Sequence, residues 1–262
     1  MTEVIERRVF GAIEFVDDLT GARVSTPLRI DAPGMRLVRN HSGLHVIREL
    51  DGADAYTRAF DNPPTRPARA NHPVSVSDPG QRYLPQAFTL ALPRLLPAPG
   101  APVADEDNAL VPVQIRLMPA AGFTVRASWA VLRLKVVVTG SNPEVGLANV
   151  LVDANPAVAG LATRRTLTDG HGEALVVIDS APPLLPDAGP AGLTRDFRVN
   201  VRLVLDKQVV RPEGSATLPV PDPRLIQQRR QAGHADVSVV NLGDQLMSSG
   251  ASRRRVEKVR WP

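Results

Sequence analysis

The chain has 262 residues, enough for two domains with separate cores, and its 25 prolines and 19 glycines favour short strands and turns over long helices. It has no cysteine, which excludes disulfides, thiolate zinc sites and cysteine nucleophiles. The net charge of +4 is modest, and its 28 arginines against 3 lysines are scattered along the chain, which disfavours a nucleic-acid partner.

The start of the chain and its apolar runs bear on location. The first residues, MTEVIERRVF, carry acidic side chains and no continuous apolar stretch, so they do not resemble a secretory signal. The longest apolar runs, such as LRLKVVV, are interrupted by charge well short of a membrane span. We therefore expect a protein made in the cytoplasm, acting there or as part of a particle released from the cell, without a membrane partner.

In chain order, the first half of the sequence predicts a series of short strands. Segments rich in β-branched and aromatic residues alternate with Gly, Pro, Asn and Asp, a pattern typical of strands and turns. These segments are RVFGAIEFV, PLRIDA, MRLVRN, LHVIREL, VSVSD and AFTLALP. Between the fourth and fifth, residues 61–73 (DNPPTRPARANHP) are too rich in proline for a regular element and predict an extended crossing.

The second half follows a stretch without periodicity, residues 94–110, which predicts a linker. Further strands are predicted at VPVQIRL, ASWAVLRLKVVV, GLANVLVDA, GEALVVI and RDFRVNVRLVLD. Asp222 as N-cap, Pro223 at the first helical position and Gly233 as a stop predict a short helix. The last thirty residues combine one strand-like stretch with a basic tail, so we expect an arm that packs on its own domain or on another subunit.

These elements predict an all-β protein with two immunoglobulin- or transthyretin-like β-sandwich domains, a short C-terminal helix and an extended arm. We expect the first sandwich at residues 1–100, a linker at 101–110, the second sandwich at 111–221, and the helix and arm at 222–262. Aromatic residues make up only 4% of the chain, which leaves Val, Leu, Ile and Ala to build both cores.

Two similar turn motifs support the presence of two related domains. Asn40 precedes Gly43 by three residues in LVRNHSGLHVI, and Asp169 precedes Gly172 by the same spacing in TLTDGHGEALVVI. An Asn or Asp in this position accepts hydrogen bonds from the backbone that follows, and the Gly adopts the left-handed conformation that closes a hairpin with a bulge. The sequence therefore predicts structural turns at these four residues.

The segment GLANVLVDANPAVAGLATRRTLTDGHGEALVVI resembles the core of the carboxypeptidase regulatory-like family, where a T-D-x-x-G turn joins two strands, as at Thr168, Asp169 and Gly172. The resemblance covers only part of the second half. It implies a transthyretin-like sandwich of the kind that usually serves as a non-catalytic folding aid, spacer or binding module. SVSDPGQRYLPQAFTLALPR and ASWAVLRLKVVV with GEALVVI are also similar to accessory proteins of phage-tail-like contractile injection particles, a similarity that carries no site residue across.

The sequence contains none of the common catalytic motifs. None of the five histidines is followed three residues later by Glu, so the zinc-binding pair of a carboxypeptidase is missing, as are H-E-x-x-H, G-x-S-x-G and the phosphate loop. His41 and His45 are spaced to share a strand face and a metal, but we favour a turn histidine and a solvent-facing strand histidine. We expect no catalytic or metal-binding residue and no cofactor.

Charged clusters and tryptophans are the remaining candidates for binding. VDDLTG and ADEDNAL offer carboxylates to calcium, but their spacing matches no calcium loop, and we favour a capped turn and a solvated linker. The tail SRRRVEKVR is either solvated or a site for phosphates or an acidic partner, and Trp129 is expected in a core. Because buried Trp and Arg dominate subunit contacts, Arg253, Arg254, Arg255 and the near-terminal Trp261 form our candidate interface.

These observations predict a non-enzymatic structural or adaptor subunit of a large assembly, most specifically a phage-tail-like contractile injection particle. Its partners would be other subunits and copies of itself, bound through sandwich surfaces and the arm. Deleting residues 234–262 would then leave a folded protein that cannot assemble. The alternative is a monomeric carbohydrate- or protein-binding module that uses the loop at residues 179–194. An enzyme with a dispersed site is the least favoured hypothesis.

Overall fold

The computed structural model describes residues 9–53, 56, 67–95, 103–158, 160–178, 196–215, 221–248 and 250–260. Strands dominate these residues, with a short helix near the C-terminus, and the predicted all-β sandwich class is confirmed. The chain forms two compact units, one from residues 1–79 and 85–117, the other from residues 80–84 and 118–262.

The first unit contains two sheets. One has the strand order β3-β4-β1-β7 and is built from β1 (Gly11–Asp17), β3 (Met35–Arg39), β4 (His45–Leu50) and β7 (Val113–Leu117). The other has the order β2-β5-β6 and is built from β2 (Arg29–Asp31), β5 (Ala70–Ser77) and β6 (Gln86–Leu92). Neighbouring strands are antiparallel except for the parallel pair β1 and β7.

Aromatic and aliphatic side chains join the two sheets of the first unit. The ring of Phe15 on β1 meets that of Phe88 on β6 edge-to-face, with centroids 6.3 Å apart. Phe10, Ile13, Ile47 and Leu92 are almost completely buried. Full burial of an aliphatic or aromatic side chain stabilises the fold by about 1.5–3 kcal/mol, so each of these residues contributes substantially to the stability of this unit.

The second unit contains two larger sheets and a small one. One sheet has the order β12-β8-β16 and is built from β8 (Ala130–Val138), β12 (Glu173–Ile178) and β16 (Ser252–Val259). The other has the order β11-β10-β13-β15 and is built from β10 (Leu151–Pro156), β11 (Arg164–Leu167), β13 (Asp196–Asp206) and β15 (Val237–Ser248). A two-stranded ladder joins β9 (Leu147–Ala148) and β14 (Arg211–Pro212).

Alternation along the strands builds the core of the second unit. Every second residue of β13, from Phe197 to Leu205, is buried in one cluster with residues of β8, β10 and β12. Leu132 and Leu134 supply the facing side from β8, and Met247 and Val259 extend the cluster from β15 and β16. A strand has a side-chain period of two, so this apolar pattern fixes which face of each sheet is turned inward.

The helix α1 (Pro223–Gln231) covers the outer face of the second sheet. Asp222 caps it by accepting a hydrogen bond from the Arg224 N–H at 2.8 Å, with Pro223 at the first helical position, as the sequence predicts. Ile226 is buried there beside Leu151 and Val204. An apolar side chain therefore anchors the middle of the helix to the sheet.

Two arginines in the last turn of α1 strengthen this attachment. Arg229 donates from Nε to the fully buried Asp206 at 2.6 Å and from Nη2 to Asp236 at 2.5 Å. Arg230 contacts Asp153 of β10 at 3.3 Å. The hydrogen bond to Asp206 is the main cause of a raised pKa at Arg229. Since Asp236 immediately precedes β15, the same arginine holds the start of that strand in place.

The predicted turn at Asn40 joins β3 to β4 as a hairpin. The Gly43 N–H donates to the Asn40 carbonyl and the Leu44 N–H donates to Asn40 Oδ1, both at 2.9 Å. Gly43 has a φ of +79°, in the left-handed region that favours glycine.

The turn at Asp169 has the same hydrogen-bond pattern but a different position in the fold. Asp169 Oδ1 accepts from the N–H groups of His171 and Glu173 at 2.9 Å, and Gly172 has a φ of +75°. The turn joins β11 to β12, which lie in different sheets because β11 pairs with β10 and β12 pairs with β8. It is therefore an arch between sheets, and the predicted hairpin is wrong at this position.

The structure corrects two assignments in the first half. β5 begins at Ala70 and includes Pro73, although the sequence predicted an extended crossing up to residue 73. The β-branched residues that follow the proline favour a strand, and their pairing with β6 continues back to Ala70. β7 pairs with β1 over five residues and so lies in the first unit, whereas the sequence placed residues 111–117 in the second sandwich. The reason is long-range strand pairing, which the local sequence does not encode.

The structure also corrects the predicted C-terminal arm. β15 pairs with β13 along its whole length, and β16 runs parallel to β8 over eight residues. Met247 and Val259 are 1% and 6% exposed. The few apolar residues of this segment suffice because each strand buries only one or two of them at the edge of an existing core.

Candidate functional site

The two histidines considered for a metal have separate structural roles. His41 is exposed in the hairpin turn, whereas His45 begins β4, is half-buried rather than solvent-facing, and meets Phe15 edge-to-face with ring centroids 5.3 Å apart. Burial, with the nearby positive charge of Arg39, lowers the pKa of His45. No cluster of three His, Asp or Glu side chains suited to a metal ion occurs within the described parts of the chain.

The two acidic clusters both have structural contacts. Asp17 Oδ1 accepts from the N–H groups of Leu19 and Thr20 at 2.9 Å, which is the capped turn that we favoured. In the second cluster the side chains of Asp105 and Glu106 are exposed to solvent, as we favoured, but the segment is part of the first unit and not a linker. Arg94 is 6% exposed and donates to the carbonyl of Glu106 at 3.1 Å and to two neighbouring carbonyls, those of Asp105 and Val111. This buried guanidinium holds residues 105–111 against the first unit.

The arginines of the candidate interface lie on β16. Arg253 and Arg254 are exposed, and Arg255 is half-buried. Trp261 lies outside the described residues, so its predicted docking stays a prediction. Trp129 is 6% exposed, as expected of a core residue, and the Arg126 guanidinium carbon lies 5.3 Å from its ring centroid.

The most extended unpartnered edge in the second unit is that of β15. This strand has twelve residues and is the last strand of its sheet among the described residues, so the backbone groups on its outer side have no strand partner there. Its register places Val239 beside Val204 and Leu246 beside Arg198 on the outer face of the sheet. Val239 and Leu246 are 44% and 43% exposed.

A single irregularity divides this edge. The register shifts where Val201 faces Gly243 and Arg202 faces Asn241, so Leu242 is an extra residue on β15, and Gly243 has a φ of +69°. Such bulges twist an edge and interrupt its ladder. Two straight segments remain, residues 237–241 and 244–248, each carrying one of the exposed apolar side chains.

Polar side chains link β15 to β16 where the two sheets meet. Arg255 donates to Gln245 on β15 and to Glu257 on its own strand. The connection between the strands is anchored by the Gly250 N–H, which donates to the Trp129 carbonyl at 3.3 Å. The arginine run therefore lies beside β15, and Arg255 has a structural role because it links the two strands.

The two edges carry different side chains. β16 (SRRRVEKV) carries four cationic residues, and charge at an edge discourages pairing with another strand. β15 (VSVVNLGDQLMS) has a single charged residue, Asp244, whose carboxylate accepts from Asn200 at 3.1 Å. Unprotected apolar edges are the usual templates for strand addition, so of these two edges β15 is the better suited to pair with a strand from another chain.

Sequence reasoning identified the arginines but missed this edge. The signal was present, because the apolar residues Val237, Val239, Val240, Leu242 and Leu246 are bounded by a histidine-containing turn and by Gly250. The sequence predicted one strand-like stretch in this region, but its imperfect alternation, which the bulge at Leu242 explains, did not indicate a twelve-residue strand at the edge of a sheet.

No helix in the described segments is long and apolar enough to cross a membrane. Comparisons of the chain with models of protein families, with curated proteins and with solved structures find no match.

Proposed function

We propose that this protein is a non-enzymatic structural or adaptor subunit of a large assembly, and that it docks through the β15 edge. The observation that carries the proposal is a twelve-residue edge strand with two exposed apolar side chains and one charge. An extended segment of a neighbouring subunit can add to such an edge, where main-chain hydrogen bonds supply affinity and side-chain pockets supply specificity.

The residues around the β15 edge indicate the length and the charge of the segment that could bind there. The bulge at Leu242 limits the added strand to one of the two straight segments, so the partner contributes about five residues to the ladder. Arg253 and Arg254 lie exposed on the neighbouring strand β16. A partner segment with apolar residues and flanking acidic residues is therefore complementary, since long-range attraction steers association and fixes orientation.

The assembly that we propose is a phage-tail-like contractile injection particle, and this choice rests on the sequence resemblance described above. The resemblance to carboxypeptidase regulatory-like domains supports the same non-catalytic role. The competing function is a monomeric carbohydrate- or protein-binding module; the loop that we assigned to it, residues 179–194, lies outside the described residues.

The first test is sedimentation of a native lysate that contains the tagged protein. We expect the wild-type chain to pellet with a megadalton particle whose tube, sheath or baseplate proteins are identified by mass spectrometry. The double variant Val239→Glu with Leu246→Glu should remain in the supernatant, because charges on the edge oppose strand addition and anions repel the acidic flanks of the partner. Leu225→Glu is the matched control, since Leu225 is equally apolar and 56% exposed on α1.

Circular dichroism of the purified variants establishes that each is folded. A wild-type chain that stays at monomer mass contradicts the assembly proposal and favours the binding module. Co-sedimentation of the edge variant at the wild-type level would exclude β15 as the docking surface while leaving the assembly role intact.

A further inference from the structure

A cleft in the first unit opens between the edges of its two sheets. Its volume is about 450 Å³, within the range of about 300–1,000 Å³ that is usual for small-molecule pockets. β2 and β3, which flank it, are each the last strand of a sheet among the described residues. The sheets are therefore open on this side, and the interior of the sandwich can be reached from solvent.

Most of the side chains that line the cleft are apolar and only partly covered by protein, although more of its exposed surface is polar than apolar. Leu28, Ile30, Met35 and Leu37 line it and are half-buried, unlike the residues deeper in this core. An apolar ligand would remove this remaining surface from water, and that removal is favourable in proportion to the area covered.

The polar groups of the cleft are cationic or neutral. Arg39 and His45 face each other in the pairing of β3 with β4, and both line the cleft. The Arg39 guanidinium donates from Nη2 to the Ser25 carbonyl at 3.0 Å, and no described residue supplies a carboxylate to it. Burial and the charge of Arg39 lower the pKa of His45, and Arg39 is the one permanently charged side chain among the lining residues of the described chain.

An unpartnered polar atom belongs to one of the lining residues. His45 Nδ1 is among the three buried side-chain polar atoms of the described residues that lack a hydrogen-bond partner. Buried polar atoms are rarely left without partners, so this nitrogen indicates a missing polar group at the cleft.

We propose that this cleft binds a small amphiphilic anion, a single alkyl chain that ends in a carboxylate. The chain lies against Leu28, Ile30, Met35 and Leu37, and the carboxylate pairs with Arg39 and supplies a hydrogen-bond partner at His45. A cationic amphiphile would meet like charge there, and a neutral one would leave Arg39 without an anionic partner. The proposal concerns the first unit and is independent of docking through β15.

The methionines allow a direct test by NMR. The chain has four, and with ¹³C-methyl labelling Met35 reports on the cleft, while Met118 and Met247 are buried in the second unit. Octanoate titrated below its micelle-forming concentration should shift the Met35 methyl signal saturably and leave those of Met118 and Met247 in place. 1-Octanol should bind about tenfold or more weakly, because it lacks the charge that pairs with Arg39.

A matched pair of variants tests the head-group contact. Arg39→Gln should weaken octanoate binding about tenfold, whereas Arg48→Gln removes the same charge from an exposed position on β4 outside the cleft and should leave the affinity unchanged. Both side chains are exposed, so both variants are expected to fold, and the unperturbed spectrum verifies this.

Three results would overturn the proposal. The first is an unchanged Met35 signal at saturating octanoate, and the second is an equal shift of all the methyl signals, which indicates nonspecific detergent action. The third is equal binding by the two arginine variants, which removes the argument for an anionic ligand.

Discussion

At Gly172, φ is +75° and an added Cβ atom would lie 2.4 Å from the carbonyl oxygen of Val136. At Gly43, φ is +79° but the nearest atom would be Arg23 Cδ, at 3.3 Å, the end of a flexible side chain. Gly52 has a φ of +77° with nothing within 4 Å. All three glycines have a positive φ, and they differ in the space that is available for a side chain.

Alanine substitution at these positions distinguishes the energetic cost of a positive φ from the cost of a steric clash with the added Cβ atom. Gly52→Ala and Gly43→Ala should each lower the free energy of unfolding by about 1–2 kcal/mol, the cost of placing an L-residue in the left-handed region. Gly172→Ala should cost clearly more, because a backbone carbonyl cannot move aside as a side chain can. Denaturant titration followed by circular dichroism measures all three. Equal losses would show that the arch at Asp169 is looser than described.

His171 and Glu213 form an exposed pair beside this arch. His171 Nδ1 lies 2.6 Å from Glu213 Oε1, and the Gly146 N–H donates to Glu213 Oε2 at 3.2 Å. The hydrogen bond to Glu213, with the charges of Asp169 and Glu173, raises the pKa of His171 above its ordinary value of 6.5. The same bond lowers the pKa of Glu213 below 4.5.

These two pKa shifts predict a weak pH dependence of stability. The His171 contribution is complete below pH 6.5 and is lost as the pH rises through its raised pKa. The Glu213 contribution is complete above pH 4.5 and is lost as the pH falls through its lowered pKa. The pair therefore stabilises most between these values, and only slightly, because the His171 side chain is 74% exposed.

An NMR titration of the histidine rings measures the effect. The pKa of His171 should lie above 6.5 in the wild type and fall in Glu213→Gln, while His45 should titrate below 6.5 in both proteins. A His171 pKa that is unchanged by Glu213→Gln would show that the pair is not formed in solution.

The two C-terminal strands are part of the second unit, although their sequence is largely polar. A tail that is largely polar predicts a dispensable arm, yet β15 completes a ladder with the central strand β13, and β16 completes one with β8. Each strand has few buried residues because it lies at an edge, where one face and one side remain open.

Deletion of residues 234–262 should therefore unfold the second unit. It removes Met247 and Val259 from the core, and β8 and β13 each lose one of their two hydrogen-bonded neighbours. Far-ultraviolet circular dichroism should show a large loss of β signal, and the matched deletion of residues 261–262 alone should show none. A truncated protein that keeps its spectrum would restore the arm interpretation.

At the scale of the whole molecule, neither unit is a continuous piece of the chain. Residues 80–84 belong to the second unit and lie between two parts of the first, with Leu84 buried in the cluster that includes Ile226. The chain returns to the first unit at residue 85, and β7 still belongs to that unit because it pairs with β1. A domain boundary drawn where the composition changes therefore divides the first sheet.

Fragments test this boundary. The fragment 1–117 keeps β7 beside β1 and should give a cooperative thermal transition, whereas 1–100 lacks β7 and the residues that Arg94 holds, and should melt at a lower temperature or aggregate. Thermal denaturation by circular dichroism compares them. Equal melting temperatures would mean that the parallel pairing of β1 and β7 contributes little.

The local features could be predicted from the sequence: the β class, most strands, the N-cap at Asp222 and the turns at Asn40 and Asp169. These depend on side-chain periodicity and on hydrogen bonds between residues a few positions apart. Four other features depend on tertiary contacts: the partner of β7, the arch after β11, the pairing of the strands at the C-terminus and the cleft between β2 and β3. Strand pairing joins residues far apart in the chain, and a cleft depends on what two sheets leave uncovered, so neither is encoded in any short segment.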